Sequence, residues 1–206
     1  MSSVARRRIA AVVLAAGRSR RMGANKLLLE LDGKPLVRHV LDAIAASHAT
    51  TTIVILGHEA AKVRAALADC AATFVVNEAY HEGLASSLHK GVAALPAEVD
   101  GAMIFLSDMP DIEPALIDRM IAAFDPDRHK SIVVPIRHGR RGHPVLWGGA
   151  FFPLLLTETQ GDAGAKALID RFADQVVEIA APTDGVLRDL DTPEDFFRRA
   201  QTGRPA

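Results

Sequence analysis

Four groups of residues in this sequence could do chemistry, and all four sit where apolar segments give way to polar ones. The first is LAAGRSRRMGANK, Leu14 to Lys26. Gly17 and Gly23 leave backbone N–H groups free to point at phosphate oxygens, while Arg18, Arg20, Arg21 and Lys26 supply charge. Through residue 26 the chain carries seven basic side chains and no acidic one. The segment therefore reads as a polyanion cradle, with a solvated basic turn as the plainer alternative. It is not a P-loop, because Met22 stands five residues after Gly17 and no Gly-Lys-Ser/Thr follows. Nor is it a dinucleotide fingerprint, since Ser19 occupies the place of the second glycine.

The second group is FLSDMPDIEP, Phe105 to Pro114. Asp108 directly follows a wholly apolar run. A carboxylate facing a basic triphosphate loop suits Mg²⁺, which takes one or two carboxylates plus phosphate oxygens. The competing reading of Asp108 is an N-cap for the next helix. Asp111 and Glu113 fit helix N-terminal acids. The third group is RDLDTPEDF, Arg188 to Phe196. If Asp189 and Asp191 alternate along a strand end, they project to opposite faces and only one can join a shared metal. Asp189 is preferred, because Asp191 lies nearer the helix start. The fourth is NEAYHEGLASSLHKG, Asn77 to Gly91, where small and hydroxyl residues enter a helix and can approach a base edge or a phosphate.

These groups need a scaffold. Apolar runs over 9–16, 52–56, 73–76, 102–106 and 131–136 each end at Gly, Asn, Ser or Asp, as strands buried on both faces do. Helical patterns occupy 36–44, 59–68, 84–95 and 113–124, with Pro114 in a first turn. Strand and helix alternating in this way predict a single-domain α/β Rossmann-like fold, with an open, mostly parallel sheet and helices on both faces. Residues 9–136 would form the nucleotide-binding part and 137–200 the acceptor-binding part. In the second part, short strands are expected at 143–147, 176–179 and 186–190. Helices are expected at 165–172 and 193–200, the last with Thr192 as N-cap and Asp195 at N3. Ligands in such sheets bind beyond the carboxyl ends of the strands, which is where the four groups lie.

Composition narrows the function classes. Lys plus Arg is 24 against 25 Asp plus Glu, without the basic excess of a nucleic-acid binder. No apolar run reaches the length of about 18 residues that a membrane helix needs. The lone cysteine, Cys70, rules out an intramolecular disulfide and suits a core residue in the cytoplasm. His39, His48, His89 and His129 fall on helix faces or loops as solvated side chains, and the histidines form no metal set.

Leu14 to Lys26 with the following LDGKPLVRHV resembles the nucleotidyltransferase signature of the MobA-like superfamily. VVNEAYHEGLASSLHKGV, FLSDMP, RGHPVLW, GDAGAKALI and RDLDTPEDF look like successive blocks of its molybdenum cofactor cytidylyltransferase branch. The resemblance runs from about Ile9 to Arg199. It implies transfer of CMP from CTP to a molybdopterin-type acceptor, with pyrophosphate released and a molybdoenzyme as a candidate recipient of the product. Carried over by position, Leu14, Ala15, Ala16, Gly17, Arg18 and Lys26 would hold the nucleotide, and Gly83 and Ser87 would lie near its base and ribose. Lys26, Arg18 and Asp108 would carry catalysis. Asp108, with Asp189 or Asp191, would bind Mg²⁺. Gly142, His143 and Pro144, with Gly161 and Asp162 of the GDAGA loop, would face the acceptor. Leu29-Glu30 departs from the Leu-Pro of many relatives, outside the phosphate cradle.

Overall fold

The computed structural model describes residues 7–19, 22–161 and 165–202. In chain order the elements are β1 (Ile9–Ala15), β2 (Glu30–Leu31), β3 (Lys34–Pro35), α1 (Leu36–Ala45), β4 (Thr51–Leu56), α2 (Ala60–Ala66) and β5 (Thr73–Val76). Next come α3 (Leu84–Ala93), β6 (Gly101–Leu106), α4 (Pro114–Ala123), β7 (Ile132–Arg137), β8 (Arg140–Arg141) and β9 (Val145–Gly148). The chain ends with α5 (Phe152–Glu158), α6 (Lys166–Arg171), β10 (Val176–Ala180) and α7 (Pro193–Thr202). β2 and β3 form a small hairpin of their own.

The main sheet runs β10-β7-β9-β6-β1-β4-β5, with β8 paired to β7. β1 pairs in parallel with both β4 and β6, and β9 runs antiparallel between β6 and β7. The mostly parallel α/β sheet expected from the alternating pattern is what the chain forms. Burial on both faces explains the unbroken apolar runs. Ile9, Ala11, Val13 and Ala15 join the core under α1, α2 and α4, whereas Val12 and Leu14 join the core on the opposite face with residues of α3, α5 and α6. α3 lies so close to β1 that a Cβ on Gly91 would stand 2.5 Å from Val12 Cγ1, so only glycine fits there.

From β1 the chain crosses to β4 and β5 on one side, and β6 takes the other. That leaves a switch point beyond the carboxyl ends of β1 and β6, where open α/β sheets bind ligands. The register pairs Leu14 with Leu106, so Ala16 and Asp108 leave the sheet side by side.

Several elements differ from expectation. α5 has no counterpart in the sequence reading. The strand expected over 186–190 is absent: Asp184–Leu187 is a 3-10 turn and the next residues are irregular. His39 is buried (3% exposed) rather than solvated, with Nε2 2.8 Å from the Leu31 carbonyl of the β2–β3 hairpin. No described helix is long and apolar enough to cross a membrane.

Candidate active site

A cleft of about 740 Å³ opens at the switch point. Its floor is the ends of β1 and β6, with Leu14, Ala16 to Ser19 and Leu106 to Asp108. One wall is Lys26 and Leu27, a second is Tyr80 to Leu84 with Ser87, and a third is Asp189 and Asp191. Ser107 Oγ donates to the Leu14 carbonyl at 2.7 Å, stitching the two strand ends together.

Lys26 is buried (8% exposed) in a short 3-10 turn. The turn starts at Asn25, whose Oδ1 accepts from Leu27 N–H at 3.2 Å, and Ser19 Oγ accepts from Lys26 N–H at 3.2 Å. Thus the loop after β1 folds back on itself and aims the lysine into the cleft. Its ammonium lies 2.7 Å from Asp108 Oδ2 and 2.6 Å from Asp191 Oδ1. Burial alone would depress the Lys26 pKa, but the two carboxylates outweigh it and hold the ammonium above its ordinary value.

Asp108 is not a helix N-cap; α4 starts later, with Glu113 in the capping position. The acids after β6 divide their work differently from the sequence reading. Asp111 is buried and receives Arg199 of α7, whose Nε lies 2.8 and 2.9 Å from its two oxygens. This buried pair fastens the segment carrying Asp108 to the last helix.

Both Asp189 and Asp191 reach the cleft, which corrects the expectation that only one could. Thr183 Oγ1 accepts from Gly185 N–H at 3.4 Å and starts the 3-10 turn, so no strand alternation operates beyond it. Leu190 points inward (3% exposed), and its N–H binds the Asp108 carbonyl at 3.1 Å. Pinned at its centre, the Asp189–Asp191 segment presents both flanking carboxylates to Asp108. Asp108, Asp189 and Asp191 each place an oxygen within 4.8 Å of the others. Thr192 and Asp195 form the expected reciprocal cap: Thr192 N–H binds Asp195 Oδ2 at 3.2 Å, and Asp195 N–H binds Thr192 Oγ1 at 3.2 Å. Partial loss of water, with the Asp191 and Asp108 charges, pushes the Asp189 carboxyl up against an opposing pull from Lys26.

The set fits a divalent cation. All three donors are hard carboxylate oxygens. Asp108 Oδ1 is buried without a hydrogen-bond partner among the described residues, an orphan that a cation would satisfy.

Of the other residues singled out in the sequence, Leu14, Ala16, Gly17, Arg18, Gly83 and Ser87 line the cleft. Ala15 turns into the core (1% exposed) and does not line the cleft. Gly142, His143 and Pro144 do not line the cleft. A Cβ on Gly142 would meet the Val186 carbonyl at 2.1 Å, and His143 N–H bonds that same carbonyl at 2.9 Å. This block therefore braces the turn leading to Asp189. The His143 ring is nonetheless coupled to the site: burial pushes it below its ordinary value, and the Asp108 charge and the Ile104 carbonyl pull the other way. Gly161 is outside the cleft lining but touches its wall, since its carbonyl accepts from Ala85 N–H at 2.9 Å. Arg20, Arg21 and Asp162 lie outside the described residues. Tyr80, His81, Glu82 and Ser107 also line the cleft; they lie within the second and fourth groups, though none was given a site role. Their position just after β5 and β6 was the available signal.

Residues 11–176 match the MobA-like NTP transferase domain. The chain belongs to this family. It is 28% identical over 196 residues to nicotine blue oxidoreductase of Paenarthrobacter nicotinovorans, covering 92% of this chain and 95% of that one. It is 34% identical over 142 residues to the bifunctional protein GlmU of Desulfotalea psychrophila, covering 68% of this chain but 41% of GlmU. Thus the chain spans less than half of that longer relative. Among solved structures, Rv0371c of Mycobacterium tuberculosis H37Rv superposes with a TM-score of 0.84 at 31% identity, covering 95% of this chain and 98% of that one. A manganese complex of Rv0371c superposes with a TM-score of 0.79 at 28% identity, covering 95% of this chain and all of that one.

Proposed function

We propose that this protein moves CMP from CTP to the phosphate of a molybdopterin-type acceptor, releasing pyrophosphate, with Mg²⁺ held by Asp108, Asp189 and Asp191. One observation carries the reading: the Lys26 ammonium and three carboxylates share one cleft with the loop after β1. A pure binding module has little use for a carboxylate trio, whereas phosphoryl chemistry needs cations held where charge develops.

An oxygen of the acceptor phosphate attacks the α-phosphorus in line, the bond to the β-phosphate bridging oxygen breaks, and pyrophosphate leaves with that electron pair. The acceptor is already an anion, so no strong general base is required. The obstacle is repulsion between two anions and growth of charge on the leaving group. Lys26 and Arg18 meet the triphosphate, and the exposed backbone at Gly17 brings an N–H to the same oxygens. Metal bound at the carboxylates would neutralise phosphate charge and so favour departure of pyrophosphate. Gly83 and Ser87, on the opposite wall, would hold the base and ribose. Gly161, which touches that wall, and the rest of the GDAGA block would receive the acceptor, with the Gly142–Pro144 block bracing the turn that leads to Asp189.

The test is direct. The purified protein is offered each nucleoside triphosphate with Mg²⁺ and a panel of acceptors: molybdopterin, sugar 1-phosphates and other small phosphates. Pyrophosphate is measured and the product identified by mass. A molybdopterin cytosine dinucleotide supports the reading, and pyrophosphate released only with a sugar phosphate overturns the acceptor. A second reading comes from the nicotine blue oxidoreductase relative, which aligns over nearly the whole chain. Redox turnover of nicotine blue with no pyrophosphate release would favour it.

A further inference from the structure

Arg199 lies on α7 with its side chain almost wholly buried (3% exposed). Its guanidinium reaches two carboxylates from different parts of the chain. Nε lies 2.8 and 2.9 Å from the two oxygens of Asp111, and Nη2 lies 3.2 Å from Oδ2 of Asp32. Asp32 and Gly33, both at positive φ, form the two-residue turn of the β2–β3 hairpin.

Each of these partners stands close along the chain to one charged group of the cleft. Asp111 follows Asp108 by three residues. The 3-10 turn carrying Lys26 runs on into the hairpin of Asp32, and Leu36 N–H closes that hairpin on the Leu29 carbonyl at 2.9 Å. α7 itself starts at Pro193, just after Asp191. Arg199 therefore joins the three segments that bear Lys26, Asp108 and Asp191, and it does so from outside the cleft lining. Leu31, Leu36 and Leu190, with Phe196 packed against them, form a small apolar cluster where the hairpin, α1, the 189–191 segment and α7 meet.

The tie is poorly built for stability alone. Arg199 Nη1 is buried with no hydrogen-bond partner among the described residues, and the Asp32 side chain keeps 46% of its exposure. A buried ion pair with an unmet donor gives little net stabilisation over an apolar contact of the same volume. What a guanidinium does supply is fixed geometry, because its planar fork holds carboxylates at set directions.

We propose that Arg199 is a positioning residue that holds Lys26, Asp108 and Asp191 in register across the cleft without touching substrate or metal. Its bearing on turnover rests on the proposed function; its bearing on cation binding rests only on the carboxylate set. The two arms do different work. The Asp111 arm sets the Asp108 segment against α7 and the acids that precede it, and so governs how closely the carboxylates converge. The Asp32 arm sets the Lys26 turn. Groups that orient metal ligands from outside typically change affinity or activity by about 10- to 100-fold when removed.

Asp111→Asn combined with Arg199→Met supplies the decisive perturbation. It removes both charges of the buried pair together, so neither is left alone in the interior. Asp32→Asn cuts only the hairpin arm, at a half-exposed side chain. Mn²⁺ affinity without nucleotide is measured by electron paramagnetic resonance on the full chain in a Lys26→Met background, so that the lysine does not compete. With Lys26 restored, kcat and the KM for CTP are measured by pyrophosphate release. Thermal unfolding of each metal-free variant shows that the fold is kept at the assay temperature.

The paired substitution should weaken Mn²⁺ binding about tenfold or more relative to Lys26→Met alone, whereas Asp32→Asn should leave it unchanged. With Lys26 present, the paired substitution should lower kcat about 10- to 100-fold. Asp32→Asn should lower kcat by less. In both, the KM for CTP should change little, because the Tyr80–Ser87 wall lies outside the tie. A folded chain lacking the pair that binds Mn²⁺ as Lys26→Met does would mark Arg199 as structural only and overturn the proposal. So would an unchanged kcat in the paired variant of an active chain. If the paired variant fails to fold, Arg199→Lys takes its place, since one ammonium keeps a charge beside Asp111 but cannot span both carboxylates. Weaker Mn²⁺ binding then supports the assignment, and unchanged binding refutes it. If the wild-type chain releases no pyrophosphate from any nucleotide, the transferase reading falls, and the Mn²⁺ titrations alone decide the role of Arg199.

Discussion

Replacing Lys26 with methionine should have two opposite effects. The Lys26 ammonium holds Asp108 Oδ2 at 2.7 Å and Asp191 Oδ1 at 2.6 Å, so it already neutralises two of the carboxylates that a divalent cation at this site would share. The three carboxylates offer oxygens within 4.8 Å of one another. Two unit charges at that separation repel by about 3.5 kcal/mol at an effective dielectric of about 20. The Asp108 and Asp191 side chains keep 19% and 25% of their exposure, so solvent screens part of this. Discounting by half or more leaves about 1.4 kcal/mol, a factor of about ten in affinity. In Lys26→Met the competitor is gone and the repulsion is relieved only by a cation. Mn²⁺ affinity without nucleotide should therefore rise about tenfold or more, while pyrophosphate release falls about 100- to 1000-fold for loss of a preorganised donor. Free Mn²⁺ is read by its electron paramagnetic resonance signal during titration, and turnover by a pyrophosphate assay. Unchanged or weaker Mn²⁺ binding in Lys26→Met would refute the idea that lysine and cation contend for the same carboxylates. In the wild-type chain, nucleotide should tighten Mn²⁺ binding, because the triphosphate draws Lys26 away from the acids.

Asp108→Asn should lower turnover by at least about 100-fold even at saturating Mg²⁺, and near-normal turnover would remove Asp108 from the metal set. Burial and the neighbouring Asp191 and Asp108 charges raise the Asp189 carboxyl from its ordinary value, so its protonated form persists to higher pH. Mn²⁺ affinity should be full well above that raised pKa and fall as pH drops through it, beginning at a higher pH than about 3.9; Asp189→Asn should remove this early phase. The same shift has a stability sign: the cost of keeping Asp189 ionised is present at high pH and relieved as pH falls through the raised pKa, so Asp189→Asn should stabilise the metal-free protein at neutral pH. Arg199→Met leaves the buried Asp111 carboxylate without its guanidinium and should cost about 3–5 kcal/mol in denaturant unfolding; a loss below about 1 kcal/mol would show that Asp111 finds other solvation.

Where the sequence was informative, the physics was local. The runs over 9–16 and 102–106 are apolar on both faces because both faces of β1 and β6 are covered, and the abrupt change at Gly17 and Ser107 marks the carboxyl edge. The Thr192–Asp195 cap depends on residues three apart and was legible for that reason. The errors arose from contacts distant in sequence. The pattern over 186–190 looks like a strand, but a Cβ on Gly185 would stand 2.4 Å from the Asp111 carbonyl, and Leu190 is fixed to Asp108. These tertiary contacts bend the segment and turn both acids toward the cleft. His39 gains its partner from the β2–β3 hairpin, and Asp111 gains Arg199 from 88 positions away. No periodicity in the sequence encodes either pairing. The cradle and Asp108 stood out by composition.

The Gly161 carbonyl, bonded to Ala85 N–H at the start of α3, has a practical consequence for re-engineering. Under the proposed function, Gly161 of the acceptor block is bonded to the helix that would hold the nucleotide, so the two specificities would not be modular. Grafting that loop from a relative to alter which phosphate is used would also tilt the helix end bearing Ser87 and disturb the choice of triphosphate. A successful swap would have to carry loop and helix together as one unit.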